Sequence, residues 1–447
     1  MMDTPICDFV RAYAQRGALR LHMPGHKGEG PLGLEALDIT EIPGADSLYE
    51  ADGVIARSEA NASRLFGAPT FYSTEGSSLC IRAMLSLAQR HAASQGRRPV
   101  IAAGRNAHKT FLSAAALLGL PVRWLTPRAQ DAYLSCVLSA EELDAQLGTM
   151  DEPPAAVYLT SPDYLGNTAD IAALAAVCHR RGALLLVDNA HGAYLRFLEP
   201  SRHPIDLGAD LCCDSAHKTL PVLTGGAYLH ISNSAPDGLL AQAKDALALF
   251  GSTSPSYLIL QSLDAANRAL AEGYRERLSA FLPHVQRAKD ALRAMGHMLC
   301  GDEPLKLTLR TKPFGYRGTE LAAKLAAQGV VCEFADPDFL VMMLTAEVGE
   351  SGLLRMEQAL TAVPRRDAIL EAPPAFGAAE RAMGIREAML APAERVPVEE
   401  SEGRVLSSAS VGCPPAVPVL VCGERIDRHA IRCFDYYGIK TCMVVRE

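Results

Sequence analysis

The sequence predicts an α/β fold, with a large domain on a mainly parallel sheet and a smaller α/β domain toward the C-terminus. Two observations carry this. From about Gly53 to Ser232, short aliphatic or β-branched runs alternate with Ala/Leu-rich stretches of helical length, the pattern of repeated βαβ units. Beyond Leu305 the same two periods recur on a smaller scale, as strand, helix, strand, strand.

In chain order, strands are expected at Val100–Ala103, Ala156–Thr160, Ala183–Val187 and Gly226–His230. Helices are expected at Leu79–Gln95, Lys109–Leu118 and Ile171–Arg181, the last closed by Gly182 in the C-terminal capping position. A Ser-rich stretch, Gly251–Ser256, leads into a long helical region from Tyr257 to Met295 that reads as a connector. Then follow a strand at Leu305–Arg310, a helix at Glu320–Gln328, and strands at Val330–Phe334 and Phe339–Leu344. The Pro/Ala-rich Glu371–Gly377 reads as a second joint. The expected organisation is an N-terminal arm lining the active site (1–52), a large domain with its connecting helix (53–295) and a small α/β domain (296–447).

Composition narrows the class. The chain of 447 residues is 49% hydrophobic and 21% charged, as in an ordinary globular protein long enough for more than one domain. No basic region followed by an apolar stretch opens it and no apolar run of membrane-spanning length occurs, so a cytoplasmic protein is expected. A net charge of −8 without a dense basic stripe argues against nucleic acid and for a small-molecule substrate. The twelve cysteines include no C-x-x-C pair, so no metal is expected and they read as reduced and mostly buried.

The chemistry concentrates in D-L-C-C-D-S-A-H-K-T-L-P-V-L-T-G-G, Asp210–Gly226. A lysine bounded by small residues, with His217 beside it, suits an amine that must spend part of its time neutral to form a Schiff base, and Lys218 is that candidate. Thirty residues upstream an apolar strand ends in Asp188, followed by Asn189, Ala190 and His191. Ligand sites gather at the carboxyl ends of parallel strands. A carboxylate there holds a pyridine nitrogen protonated, as the ring of pyridoxal phosphate (PLP) requires to act as an electron sink. Gly76, Ser77 and Ser78, in Y-S-T-E-G-S-S just ahead of a strong helix, offer amides and hydroxyls to a phosphate. His108, in G-R-N-A-H-K after a strand, is placed to stack on a planar ring.

These residues resemble the ornithine/lysine/arginine decarboxylase family of the aspartate-aminotransferase fold (fold type I), in its short form without the N-terminal wing domain. The resemblance spans nearly the whole chain. It runs through L-H-M-P-G-H-K-G (Leu21–Gly28), D-I-T-E-I-P-G-A-D-S-L-Y (Asp38–Tyr49), F-G-A (Phe66–Ala68), S-T-E-G-S-S, R-N-A-H-K, T-S-P-D-Y-L-G-N (Thr160–Asn167), V-D-N-A-H-G-A (Val187–Ala193), S-A-H-K and S-T-S-P-S-Y (Ser252–Tyr257). It closes on C-P-P-A-V-P-V-L-V-C-G-E (Cys413–Glu424), similar to the family's Y-P-P-G-I-P-x-x-x-P-G-E.

The resemblance implies that Lys218 carries PLP as the internal aldimine, that Asp188 pairs with the pyridine nitrogen and that His108 stacks on the ring. Ser77, Ser78, Ser215 and His217 would bind the phosphate, and Thr253 would reach it from the neighbouring subunit of a homodimer with shared active sites. His191 falls on the substrate side. The implied reaction is decarboxylation of arginine, lysine or ornithine to the amine, in polyamine biosynthesis. For the distal cation of the substrate the sequence offers Glu41, Asp46, Glu50, Asp52 and Glu75, without choosing among them.

The chain departs from the family pattern at Glu75, commonly Asn, at Leu165, commonly an acid or Tyr, and at Ala416 and Cys422. Two rival readings remain: other PLP chemistry, such as an aminotransferase or lyase, and a non-catalytic regulator that binds PLP or polyamine. An aminotransferase needs a placed arginine for the substrate carboxylate, and no such motif stands in the small domain.

Overall fold

The computed structural model describes residues 1–129, 132–375, 379–408 and 417–447. Its strands in chain order are β1 (Thr70–Ser73), β2 (Ile101–Gly104), β3 (Val122–Leu125), β4 (Ala156–Thr160), β5 (Leu184–Asp188), β6 (Leu211–Asp214) and β7 (Ala227–Ile231). After these come β8 (Met298–Cys300), β9 (Lys306–Arg310), β10 (Phe334–Ala335), β11 (Phe339–Met343), β12 (Ala393–Pro397) and β13 (Thr441–Val445). The chain divides into two compact units, residues 1–98 with 178–277 and residues 99–177 with 278–447.

The first unit is organised by β5 and β6, which run parallel, with Asp188 level with Cys213. Every residue of β5 is buried, as four consecutive aliphatic side chains on a strand covered on both faces require. β7 runs antiparallel to both β6 and β1. These antiparallel pairs sit within the mainly parallel sheet the sequence predicts, because the segment between β6 and β7 holds only a four-residue helix, Ala216–Thr219, in place of a crossover helix.

Two carboxylates, buried Asp264 and half-buried Asp46, fix the N-terminal region of this unit. Asp264 accepts the amides of Ile6 (3.0 Å) and Cys7 (2.9 Å) at the start of helix Pro5–Gln15, and the hydroxyl of Ser58 at 2.6 Å. Asp46 accepts the amides of Ser47, Asp52, Gly53 and Ile55 at 2.8–3.0 Å and so closes the turn that starts helix Val54–Phe66.

In the second unit β2 lies parallel to both β3 and β4. A four-stranded antiparallel sheet follows in the order β10, β11, β9, β8, and a two-stranded one pairs β12 with β13. Leu406, Leu420, Ile426, Phe434 and Val444 pack a small core against the latter. A second core joins Tyr133, Leu134, Leu165, Phe334, Phe339 and Val341.

Helix Lys109–Leu118 and strand Ala156–Thr160 fall where the sequence puts them, and β5 begins and ends one residue later than expected. The long helical region is two helices, Tyr257–Ala271 and Tyr274–Ala294, separated at Gly273, whose φ of +78° a right-handed helix does not allow. The strand expected at Val330–Phe334 shrinks to β10, because Val331 is 87% exposed and has nothing to pack against. Residues 376 and 377 of the expected second joint, and 413–416 of the C-terminal motif, lie outside the described residues. The eleven described cysteines are free thiols, nine of them buried. No helix among the described residues is long and apolar enough to cross a membrane.

Candidate active site

The first unit brings most of the sequence-predicted site residues to the carboxyl ends of β5 and β6. Asp188 closes β5, is 3% exposed, and accepts the Ala190 amide at 3.2 Å and the Cys213 thiol at 3.7 Å. The thiol of Cys213 is pushed well up by burial and by the Asp188 charge, so it stays protonated and remains a donor. The chain then turns tightly, the Gly192 amide donating to the Asn189 carbonyl at 2.8 Å, and delivers His191 to a buried position. A Cβ on Gly192 would fall 2.0 Å from Asn189 Oδ1, so only glycine permits this turn.

After β6, Ser215 precedes the short helix Ala216–Thr219 that carries His217 and half-buried Lys218. Lys218 Nζ lies 2.8 Å from His191 Nε2. His217 donates Nδ1–H to the Gly226 carbonyl at 2.9 Å, which leaves Nε2 as an acceptor. Burial, with the Lys218 charge adding to it, pulls the His217 ring below its usual range, so it is neutral.

The third element is the start of the 19-residue helix Gly76–Ser94. Gly76 (φ +68°) donates its amide to Gly225 O at 2.7 Å, which fixes the start of the helix. The Ser215 hydroxyl donates to that of Ser77 at 2.9 Å, and Ser78 follows in the same turn. First-turn amides lack intrahelical partners and sit at the positive end of the helix dipole. The nearest atom a Cβ on Gly76 would meet is His217 Cε1 at 4.0 Å, so the space beside this helix start is open. Amides, hydroxyls and a neutral imidazole around such a cradle fit a phosphate group. Lys218 and Asp188 fit the aldehyde and the ring nitrogen of the same cofactor.

His108 lies in the second unit, where it caps helix Lys109–Leu118, its Nδ1 accepting the Thr110 amide at 3.2 Å. Thr253 is exposed on the loop before helix Tyr257–Ala271. Of the acids expected to meet a substrate cation, Asp46 is committed to backbone amides. Burial alone would raise its carboxyl, but the amides of Asp52, Gly53, Ser47 and Ala56 outweigh this and hold it below the usual carboxylate range. Glu75 accepts the Ser252 amide at 2.7 Å. Leu165 is buried in the second unit's core, which accounts for an apolar residue there.

Sequence reasoning passed over Asp214. It is fully buried, its Oδ2 stands 3.1 Å from Nε2 of both His203 and His230, and its Oδ1 accepts the Asn189 amide group at 2.6 Å. The available signal was an acid at a strand end immediately before Ser215.

An α/β chain with a lysine, a strand-end carboxylate and a hydroxyl-rich helix start in this arrangement is a PLP-dependent enzyme of fold type I. Comparison with known proteins narrows the class. The family model for the Orn/Lys/Arg decarboxylase major domain matches residues 4–300 and that for its C-terminal domain matches 375–442, so the chain belongs to the Orn/Lys/Arg decarboxylase family. Among its relatives are the uncharacterized protein YaaO of Bacillus subtilis, 28% identical over 96% of this chain and 93% of that protein, and an arginine decarboxylase of Halalkalibacterium halodurans, 28% identical over 95% and 91%. The fold is also that of the Francisella novicida lysine decarboxylase LdcF, with a TM-score of 0.80 at 16% identity over 99% of this chain and 81% of that one. A Burkholderia pseudomallei sphingosine-1-phosphate lyase shares the fold at a TM-score of 0.56 and 20% identity, covering 69% and 76%. The protein is an amino acid decarboxylase, and its cofactor is pyridoxal 5'-phosphate.

Proposed function

We propose that the protein decarboxylates a basic amino acid, arginine, lysine or ornithine, to the corresponding amine, and that Lys218 is the residue to which the cofactor is joined. The observation that carries this reading is the contact between Lys218 Nζ and His191 Nε2 at the carboxyl ends of β5 and β6, the edge where Asp188 also stands.

Bound PLP supplies the electron sink for the bond that breaks at the substrate Cα. The side chains do the rest. Asp188, a buried carboxylate, holds the proton on the pyridine nitrogen. Gly76, Ser77, Ser78, Ser215 and His217 hold the phosphate, and His108 covers the ring face. Lys218 would be the acid that returns a proton to the substrate Cα, with His191, 2.8 Å away, as its partner in that transfer. Burial of His191 and Asp188 excludes water from this step.

Thr253 reaches the phosphate of a second subunit, which requires a homodimer; its exposure supports this. Glu41, Glu50, Asp52 and Glu75 remain the acids for the substrate's distal cation. Residues 1–52 act as the active-site arm, 53–295 as the cofactor domain and 296–447 as the small domain. The enzyme works in the cytoplasm, in polyamine biosynthesis. Release of CO₂ and amine from arginine, lysine and ornithine by the purified, PLP-loaded protein tests the reading. Turnover of one of the three is expected; amine transfer without CO₂ release would overturn it.

A further inference from the structure

Asp214, His203 and His230 gather at the end of β6 with no exposure of any side chain, and their ligand atoms lie within 4.8 Å of one another. Such a set invites a metal ion, but its hydrogen bonds are already assigned. His203 Nδ1 accepts the Ile205 amide at 3.4 Å, which puts its proton on Nε2, facing Asp214. A metal on Nε2 would require that proton on Nδ1, against a second donor. His230 Nδ1 stands 2.9 Å from Thr70 Oγ1, whose own proton goes to the Ala68 carbonyl at 2.9 Å. The cluster is a hydrogen-bond clamp on a carboxylate. Burial would raise that carboxyl, but the two imidazoles outweigh it and hold Asp214 well below the usual range, so it is ionised at any working pH.

With Oδ2 taken by the histidines, Oδ1 accepts from Asn189 Nδ2 at 2.6 Å. Asn189 is fully buried and lies between Asp188 and the turn that delivers His191. Its amide donates to the Cys213 carbonyl at 3.0 Å, its carbonyl accepts from Gly192, and its side chain packs against Gly192 with no room for a Cβ. Asp214 is therefore the side chain in the interior that ties down the Asn189 side chain of this turn.

We propose that Asp214 is a positioning residue of the active site: clamped by His203 and His230, it holds Asn189 and thereby fixes the turn that presents Asp188 and His191 beside Lys218. The role rests on the reading that Lys218 and Asp188 hold PLP. It separates Asp214, which touches no cofactor, from Ser215, its neighbour that does.

The test uses Asp214→Asn, Asn189→Ala and the double variant in the full-length chain. Asp214→Asn keeps the shape but turns an NH₂ toward Asn189 or toward the histidines; Asn189→Ala removes the link and leaves the clamp intact, so it remains informative if Asp214→Asn fails to fold. Two readouts are taken: amide hydrogen exchange across residues 188–192 in the cofactor-free protein, and the PLP dissociation constant with the pH dependence of the bound cofactor's visible absorption. Each single variant is expected to exchange these amides about tenfold faster and to bind PLP about tenfold more weakly, the worth of one hydrogen bond to a charged group. The double variant is expected to match the singles, since both cut one link. Additive effects, or single variants within twofold of wild type in exchange and PLP affinity, overturn the proposal. Faster exchange in variants of a wild-type protein that takes up no PLP supports the anchor and sinks the reading of Lys218 and Asp188 instead.

Discussion

Lys218 Nζ and His191 Nε2 stand 2.8 Å apart, although one comes from the short helix after β6 and the other from the turn after β5. On the proposed role of Lys218, the pairing brings an amine that would lose and regain protons to an imidazole that can exchange them.

Replacing His191 by Asn keeps a polar group in place but removes the exchangeable proton near neutral pH. The expected result is a fall in kcat of about 10²- to 10⁴-fold, the usual worth of positioned acid–base catalysis, with KM and PLP content little changed. Steady-state kinetics on the amino acid that turns over checks this; a large rise in KM at constant kcat would assign His191 to substrate binding instead.

Gly225 has a φ of +99°, and a Cβ there would approach Thr74 O to 2.9 Å. Its own carbonyl accepts the Gly76 amide at the start of helix Gly76–Ser94. Gly225→Ala is expected to destabilise the fold by about 1–3 kcal/mol and to weaken PLP binding together with it. Thermal unfolding with and without PLP measures both; an unchanged midpoint would show that the loop relaxes freely.

Asp336 gives the protein a pH dependence of its own. Its Oδ1 accepts the amides of Asp338 and Phe339 at 2.8 and 2.7 Å, while Oδ2 is buried with no partner among the described residues. Burial first, and the Asp338 charge as well, push its carboxyl up to about 7, with Lys312 and the two amides opposing. The folded chain therefore binds this proton more tightly than the unfolded one. Stability from this group is whole below about pH 4 and is lost as pH rises through about 7, amounting to roughly 2–4 kcal/mol. Asp336→Asn is expected to unfold at a higher temperature than wild type at pH 8 and at a similar one at pH 5. Parallel unfolding curves at the two pH values would contradict the assignment.

What the sequence made legible is what is written in periodicity and in local chemistry. β4 and the helix Lys109–Leu118 could be read because apolar runs of the right length are bounded by polar or turn residues. The positions of Lys218, His217, Asp188, Ser77 and Ser215 at strand ends and helix starts could be read from the apolar runs beside them, while their roles stay proposals. β1, β3 and β6 are four residues long and their sequences, T-F-Y-S, V-R-W-L and L-C-C-D, mix polar or cysteine residues into the run, unlike the wholly small and aliphatic I-A-A-G of β2. The fate of Asp46 depended on five amides in the turn and first helical residues up to ten positions further on, which no pattern in the sequence displays. Ion pairs such as Glu59 with Lys244, 2.6 Å apart, and the Asp214 clamp join residues distant in the chain and appear only once the strands are laid side by side.

The most direct measurement is borohydride reduction of the PLP-loaded protein followed by peptide mass mapping. The account predicts a pyridoxyl label on the peptide containing Lys218, and loss of the visible absorption and of all label in Lys218→Ala. A label on another lysine, or a visible band that survives in Lys218→Ala, would contradict it.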